Sequence, residues 1–252
     1  MDMKTIYLSP HLDDVVFSCG GWIWEQTHKG QEVEIWTICA GDPPPGSLSD
    51  LAKFLHQSWE LDENAVRIRR DEDQEACRII GAVPRHLSFL DCIYRLSPPG
   101  EPFYQTEVDI FGGLDPREAD LLDRVSTALG DLLPTESDLI VPLGIGNHVD
   151  HELTRKAASR LGRRLHYYAD YPYAHELEGR ETLKFMEGAR EWECDQLQIT
   201  EKGLDRWWQG ARAYGSQITT FWENEGALRR EIKQFSDFLG GMKLWVAREE
   251  SD

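Results

Sequence analysis

Positive charge is scarce in this 252-residue sequence. Its 27 Lys and Arg stand against 45 Asp and Glu, which gives a formal net charge of -18 at pH 7. A negative surplus of this size opposes electrostatic attraction to phosphate backbones and to anionic lipid headgroups. We therefore expect no nucleic acid and no membrane surface among the partners of this chain.

The sequence also has few cysteines and no long apolar run. The first residues, MDMKTIYLSP, lack the basic and apolar regions of a secretory signal, and no run approaches the roughly 18 apolar residues that cross a bilayer. We expect a cytoplasmic protein, and the sequence leaves open whether it forms a homo-oligomer. The cysteines are odd in number, include no Cys-x-x-Cys pair, and are expected to be free and mostly buried thiols: Cys19, Cys39, Cys77, Cys92 and Cys194.

Short apolar, β-rich segments alternate along the chain with longer stretches of helical periodicity. This alternation predicts an α/β fold of the Rossmann-like type, with a mostly parallel sheet and helices on both of its faces. No linker, repeat or low-complexity tract divides the chain, so residues 1–252 are expected to form a single domain. The predicted strands cover residues 5–8, 33–39, 87–90, 139–143 and 165–169.

Several stretches show the apolar stripe of a helix that packs on a sheet. One begins at Asp115 and Pro116, which are typical of a helix start, and its stripe continues to Leu133. Another is predicted over residues 61–80, where Gly81 stops it. Two further stripes, over residues 204–221 and 228–239, are interpreted as faces that pack into the core.

Two segments rich in Pro and Gly are assigned to no regular structure: residues 42–46 and residues 95–114. Long irregular segments in compact α/β domains often form binding loops, although plain surface loops are nearly as common. We expect the segment 95–114 to influence substrate selectivity more than metal content.

Two clusters of His and Asp follow predicted strands. His11-Leu12-Asp13-Asp14 comes after the first strand, and His148-Val149-Asp150-His151 follows the fourth and opens a predicted helix. Ligands of open α/β sheets generally bind at the carboxyl ends of the strands. If the first and fourth strands lie side by side, as is frequent in such folds, the two clusters meet at one site.

These residue types suit a catalytic zinc ion, which takes imidazole and carboxylate ligands and keeps one position for water. His11, Asp14 and His151 form a three-ligand set of that kind. Adjacent side chains on a tight turn diverge, so Asp13 is expected to face the water and to act as general base. Zinc lowers the pKa of bound water to roughly 7, which makes hydrolysis of an amide feasible at neutral pH.

His148 is the candidate for stabilising the oxyanion of the reaction and for protonating the departing amine, with Asp150 orienting its ring. A single His or a pair of Asp at a strand end is most often a helix cap or a solvated turn. Two such clusters at equivalent strand ends, with enough ligands for a metal, favour a functional site.

The paired clusters resemble the HPDD-like and HxDH-like signatures of PIG-L/LmbE-type zinc deacetylases. Residues 69–72 resemble the RxxE helix of that family, and Tyr214-Gly215-Ser216-Gln217 resembles a frequent late segment, so the resemblance covers most of the chain. It implies hydrolysis of an N-acetyl group on an amino sugar or sugar conjugate, with one zinc ion per chain. The sequence departs from the signature at Leu12, where Pro is usual, and Pro10 is interpreted as a substitute that stiffens the turn.

The same resemblance implies roles for individual residues. Arg69 and Asp91 fall at positions that resemble sugar-contacting residues, although Arg69 could equally pair with Glu72 on its helix and Asp91 could be an ordinary turn aspartate. Family members act on lipids, thiol-sugar precursors, antibiotics and oligosaccharides, so the resemblance does not identify the small-molecule substrate. By the resemblance, the zinc ligands are His11, Asp14 and His151. The general base is Asp13, and the pair that stabilises the transition state is His148 with Asp150.

Two other classes of protein remain as alternatives. His148-Val149-Asp150 matches the HxD part of a non-haem iron site, but the usual scaffold of those oxygenases is all-β. A nucleotide-binding or inactive carbohydrate-binding α/β protein would use the same sheet edge. Gly144-Ile145-Gly146 is similar to a dinucleotide-binding turn, but Val149 stands where the third Gly is expected.

Overall fold

The computed structural model describes residues 4–46, 48–62, 64–98 and 100–248. Its strands are β1 (Lys4–Ser9), β2 (Val33–Thr37), β3 (Val83–His86), β4 (Ser137–Pro142), β5 (Leu165–Tyr168), β6 (Trp192–Leu197) and β7 (Met242–Ala247). They form one sheet of order β3-β2-β1-β4-β5-β7-β6. The strands β1 to β5 pair in parallel, and β7 runs antiparallel to both β5 and β6. The predicted mostly parallel α/β sheet is therefore confirmed, and β1 lies beside β4 as expected.

Helices cover both faces of this sheet. They are α1 (Asp14–His28), α2 (Asp50–Ser58), α3 (Ala65–Ile80), α4 (Ala119–Leu132), α5 (Val149–Ser159), α6 (Leu177–Gly188), α7 (Glu201–Arg212), α8 (Gly215–Phe221) and α9 (Glu225–Leu239). The side chains of β1 alternate between two apolar clusters: Tyr7 packs with α1, α3, α7 and α9, whereas Ile6 and Leu8 pack with α4 and α5.

Helix ends follow the local sequence closely. Gly81 ends α3 in the left-handed region, with φ of 81°, as predicted, but α3 begins at Ala65 rather than at residue 61. Asp115 accepts a hydrogen bond from the backbone N–H of Arg117, so it caps as expected. The turn that it caps is a short 3₁₀ segment, and the α-helical part of that element begins at Ala119.

Close contact between α1 and α7 explains the Gly20-Gly21 pair. A Cβ atom on Gly20 would lie 2.7 Å from Cδ1 of Trp207, so only glycine lets the two helices approach this far. Trp207 is fully buried, and its indole N–H donates to the carbonyl oxygen of Val16 at 2.8 Å.

A third apolar cluster joins α2 to the irregular segment 95–114. Trp59, Ile93, Tyr104 and Ile110 pack in it with Val149, the first residue of α5. Most of the described residues of the segment 95–114 lack regular structure, as predicted, and residue 99 lies outside the described residues. This packing holds the segment against the start of α5, where the second His/Asp cluster lies.

The predicted strand at residues 87–90 is wrong. The strand is Val83–His86, which contains Pro84 and lies at the edge of the sheet, where a missing N–H is tolerated. After this strand the parallel pairing with β2 ends. The N–H of Leu87 donates to the carbonyl oxygen of Thr37, and Ser88 then forms an isolated antiparallel bridge with Cys39. Neither β6 nor β7 was predicted from the sequence.

Four of the five cysteines are buried and all five are free, as expected. In the part of the chain that the structure describes, no helix combines the length and the apolar character needed to cross a bilayer.

Candidate active site and metal centre

The two His/Asp clusters meet at one edge of the sheet. The parallel pairing of β1 with β4 brings together the segments that follow these strands. The ring centroids of His11 and His148 are 4.8 Å apart, and those of His11 and His151 are 5.6 Å apart. Ligand-capable nitrogen atoms of the three rings lie within 4.8 Å of one another. The predicted convergence of the clusters is therefore confirmed.

Asp14 lies between two of these imidazoles. Its Oδ2 is 3.2 Å from Nδ1 of His11, and its Oδ1 is 3.3 Å from Nε2 of His151. Burial opposes ionisation, but the neighbouring His151 and His11 outweigh it and hold the pKa of Asp14 well below its usual range. The structure thus brings together the three residues that the sequence identified as a ligand set.

Asp170 fixes the orientation of His151. Nδ1 of His151 lies 2.7 Å from Oδ1 of Asp170, while Oδ2 of Asp170 accepts the backbone N–H groups of Gly144 and Ile145 at 2.8 and 3.0 Å. With its proton on Nδ1, His151 turns Nε2 toward Asp14. Nε2 is buried and makes no hydrogen bond among the described residues, which is costly unless a cation lies beside it.

The charges around His151 favour a positive charge at this point. Burial alone would lower the pKa of His151, but Asp14 and Asp170 raise it to about 9. A proton or a metal cation between Nε2 and Asp14 therefore stabilises the arrangement. Two nitrogens and a carboxylate are donors that zinc accepts, so the residues present fit a divalent cation.

Asp150 supports His11 rather than the ring of His148. Its Oδ2 lies 3.0 Å from Nε2 of His11 and accepts the backbone N–H of Cys92 at 2.9 Å, while Arg95 donates to its Oδ1. These bonds leave Nδ1 of His11 facing Asp14. The expectation that the Asp150 side chain orients His148 is thus corrected, because its carboxylate is committed elsewhere.

His148 is oriented by the backbone. It is the N-cap residue of α5, and its Nδ1 accepts the N–H of Asp150 at 3.2 Å. Burial, together with the nearby His11 and His151, holds the pKa of His148 well below its usual value. A neutral ring whose Nδ1 accepts a hydrogen bond carries its proton on Nε2, so it presents a donor.

Asp13 diverges from Asp14, as the sequence predicted. Its Oδ2 lies 3.4 Å from Nη2 of Arg69. Burial raises the pKa of Asp13 to about 6, against the opposing effect of Arg69. A carboxylate with such a pKa is a competent base near neutral pH.

Arg69 and Asp91 both lie at the site. The Arg69 guanidinium stacks over the ring of Trp59 at 4.7 Å, and its Nη1 is 3.9 Å from Oδ2 of Asp91. Arg69 does not pair with Glu72, because the Glu72 carboxylate accepts hydrogen bonds from Ser216 instead. Asp91 does act as a turn aspartate, because it accepts the N–H of Ile93, but its Oδ2 also lies 3.8 Å from Nε2 of His11.

A cavity of about 150 Å³ opens onto these groups. Asp13, Asp14, Arg69, Asp91 and His148 line it, while Asp150 and His151 are buried behind them. A larger cavity of about 280 Å³ lies elsewhere and contains none of the predicted site residues. The smaller cavity is therefore the candidate substrate site.

Its outer walls come from parts of the chain that are distant in sequence. The segment 95–114 contributes Glu107, Ile110 and Phe111 to these walls, and its influence on substrate selectivity stays a prediction. Tyr173 and Gln217, from the C-terminal part of the chain, also line the cavity.

Asp170 and Arg95 are site residues that sequence reasoning missed. Asp170 had a detectable signal, because it lies two residues after the end of β5, the neighbour of β4. Arg95 had none, since it begins an irregular segment and reaches Asp150 only in the folded chain.

Known proteins are similar to this chain in sequence and in fold. Residues 6–161 match the family model described as PIG-L: GlcNAc-PI de-N-acetylase. The chain is 34% identical over 186 residues to a 2'-N-acetylparomamine deacetylase of Niallia circulans, covering 67% of this chain and 66% of that protein. It is 28% identical over 205 residues to a protein of the same name from Streptomyces fradiae, covering 74% and 63%. The match thus spans just under two thirds of the length of these curated relatives.

The crystal structure of the zinc-inhibited form of teicoplanin deacetylase superposes with a TM-score of 0.79 and 26% identity, covering 98% of this chain and 100% of that one. The family match extends over more than half of the sequence and includes both His/Asp clusters. The chain therefore belongs to the PIG-L family.

Proposed function

We propose that this protein is a metal-dependent N-deacetylase that hydrolyses the acetamide of an amino sugar or of a sugar conjugate. The observation that carries the proposal is the convergence of Nδ1 of His11, the Asp14 carboxylate and Nε2 of His151 beside a second carboxylate, Asp13. The names of the relatives, which specify N-acetylated paromamine and teicoplanin, support an acetylated sugar conjugate as substrate. We also take residues 1–252 as one domain, because the sheet includes strands from both ends of the described chain.

His11, Asp14 and His151 would hold the cation, and zinc is the first candidate. When bound, it supplies Lewis acidity and lowers the pKa of water. Asp170 binds Nδ1 of His151, and Asp150 binds Nε2 of His11. Nε2 of His151 and Nδ1 of His11 therefore stay available for the cation. The zinc-inhibited state named for the similar teicoplanin deacetylase makes the choice of metal a matter for experiment.

Asp13 removes the proton from the attacking water, because it lines the cavity, adjoins Asp14 in sequence and does not lie between the imidazoles. Arg69, 3.4 Å away, favours the ionised form of Asp13. Nε2–H of His148 donates to the oxyanion that forms as the carbonyl is attacked. Nδ1 of His148 already accepts a backbone N–H, so His148 cannot take up a further proton there. We therefore propose that Asp13, and not His148, passes the proton taken from water to the departing amine.

The iron oxygenase alternative loses its basis in this arrangement. Asp150 would have to be a ligand, but its carboxylate binds Arg95, Cys92 and His11. The motif also opens a helix on a mostly parallel sheet. An inactive binding protein would use the same cavity, and only an assay separates it from the enzyme.

The test is to strip the purified protein with a chelator, restore it with zinc, cobalt, manganese, nickel or magnesium, and add N-acetylglucosamine or 2'-N-acetylparomamine. We expect acetate and the free amine in equal amounts with at least one metal. If no metal yields acetate from any N-acetyl sugar although zinc binds with one ion per chain, the deacetylase proposal is wrong and a binding role remains.

A further inference from the structure

The Glu72 carboxylate, which the proposed reaction does not use, joins α3 to α8. Glu72 lies on α3, three residues after Arg69, and reaches the start of α8. Its Oε1 accepts the backbone N–H of Ser216 at 2.8 Å, and its Oε2 accepts the Ser216 hydroxyl at 2.6 Å. The RxxE-like helix and the Tyr214-Gly215-Ser216-Gln217 segment are therefore in direct contact.

These bonds fix the orientation of the next side chain. The Ser216 hydroxyl has one proton and gives it to Glu72, so its oxygen can only accept from Gln217, whose Nε2 lies 3.0 Å away. The amide nitrogen of Gln217 thus faces Ser216. Its Oε1 is left with no hydrogen bond among the described residues.

Gln217 has a place in the candidate substrate site. The residue is 2% exposed and lines the same cavity as Asp13, Arg69 and Asp91. Most of the other polar groups of this cavity are acceptors or are already paired, since the Arg69 guanidinium faces both Asp13 and Asp91. The cavity therefore favours a substrate that is rich in donors.

We propose that Gln217 is a specificity-determining residue, whose amide oxygen accepts a hydrogen bond from a hydroxyl group on the sugar that carries the acetamide. Glu72 is its positioning residue and acts through Ser216. The inference rests on the proposed deacetylase function and names one group of the substrate that the site recognises. Once a bound sugar covers this oxygen, leaving it unpaired is costly, so a sugar that lacks the donor binds poorly.

The experiment compares kcat/KM for N-acetylglucosamine and for analogues that each lack one hydroxyl group. The wild-type protein is expected to disfavour one analogue by at least about tenfold relative to the others, the effect of one hydrogen bond. Gln217→Met keeps the length of the side chain and removes the acceptor. It should reduce kcat/KM for the parent sugar about tenfold through KM, and should treat the parent and that analogue alike.

Glu72→Gln tests the positioning role. Its amide can accept the N–H of Ser216 and donate to the Ser216 oxygen, which frees the Ser216 proton for Gln217 and turns the Gln217 amide around. We expect the same loss of discrimination as in Gln217→Met, with the bound metal unchanged. Glu75→Gln is the matched control, because Glu75 is exposed on the same helix and pairs only with Arg78 among the described residues.

The outcomes separate the two proposals. If the wild-type protein releases no acetate from any N-acetyl sugar, the proposed function fails. If it releases acetate and Gln217→Met keeps the full discrimination between analogues, the role of Gln217 is wrong while the function stands. An equal fall of kcat on every substrate in Glu72→Gln, without loss of discrimination, would show that Glu72 only stabilises α8.

Discussion

Two buried carboxylates that do not face the cavity determine which nitrogen of each ligand histidine faces Asp14. Asp170 binds Nδ1 of His151, whereas Asp150 binds Nε2 of His11. The two rings therefore present different nitrogens, Nε2 and Nδ1, to the same carboxylate. An imidazole held in this way loses less freedom when a cation binds, which increases the affinity of the site.

Asp170→Asn should weaken metal binding about 10- to 100-fold. The amide has one acceptor oxygen in place of two, so it cannot serve both His151 and the N–H groups of Gly144 and Ile145. Competition with a chromophoric chelator measures the affinity. Asp131→Asn, an exposed change on α4, is the control and should bind metal as the wild type does. Unchanged affinity in Asp170→Asn would contradict the role of Asp170.

Asp13→Ala should keep the metal and reduce kcat by roughly 10²-fold or more, because it removes the base and leaves the ligand set intact. His151→Ala should instead lose the metal, since it removes a ligand. Elemental analysis and acetate release, measured on the same samples, distinguish the two effects. Wild-type turnover by the Asp13 variant would show that the base lies elsewhere.

At the scale of elements, the position of the site depends on how α1 packs. This helix begins at Asp14 and is held against α7 by the Gly20–Trp207 contact, so its start is fixed relative to the sheet. A change at this contact moves the helix that carries Asp14.

Gly20→Ala should destabilise the fold by about 1–3 kcal/mol, because the added methyl group would lie 2.7 Å from Cδ1 of Trp207 and overpack the interface. Gly188→Ala is the control: it adds the same methyl group to an exposed helix end where no atom lies within 4 Å. Urea unfolding of the two variants, compared at equal m-values, measures the difference in their free energy of unfolding. Equal midpoints for the two variants would mean that α1 has room to move away.

Of the strands that sequence reasoning missed, the interior strand β7 is mostly buried like those that it found, whereas the edge strands differ in physical kind. The central strands β1 and β4 are buried on both faces and read as continuous apolar runs, so they and the clusters behind them were predictable. The edge strands lack such apolar runs, because β6 is largely exposed and carries Glu193 and Asp195, and β3 contains Pro84. Asp150 was recognised, but its true partner His11 lies 139 residues away, and no local pattern reports such a pair.

At the scale of the whole molecule, negative charge dominates both the surface and the cavity. The net charge is -18, and Glu107 adds an exposed carboxylate to the walls where Asp13, Asp14 and Asp91 already lie. Such a field raises the local concentration of cationic substrates and slows the approach of anionic ones. The acidity of the chain thus bears on which sugar conjugates reach the site rapidly.

An N-acetyl sugar conjugate that carries ammonium groups should therefore lose kcat/KM as salt increases. We expect a fall of about tenfold between about 0.01 M and 1 M salt, over which the screening length shrinks from roughly 30 to 3 Å. N-acetylglucosamine, which is uncharged, should show little change, and it serves as the control because its acetamide reacts through the same groups. Since salt screens attraction to the field but leaves the reacting groups in place, the loss should appear in kcat/KM and not in kcat. Parallel salt curves for the two substrates would show that the field of the molecule plays no part in substrate capture.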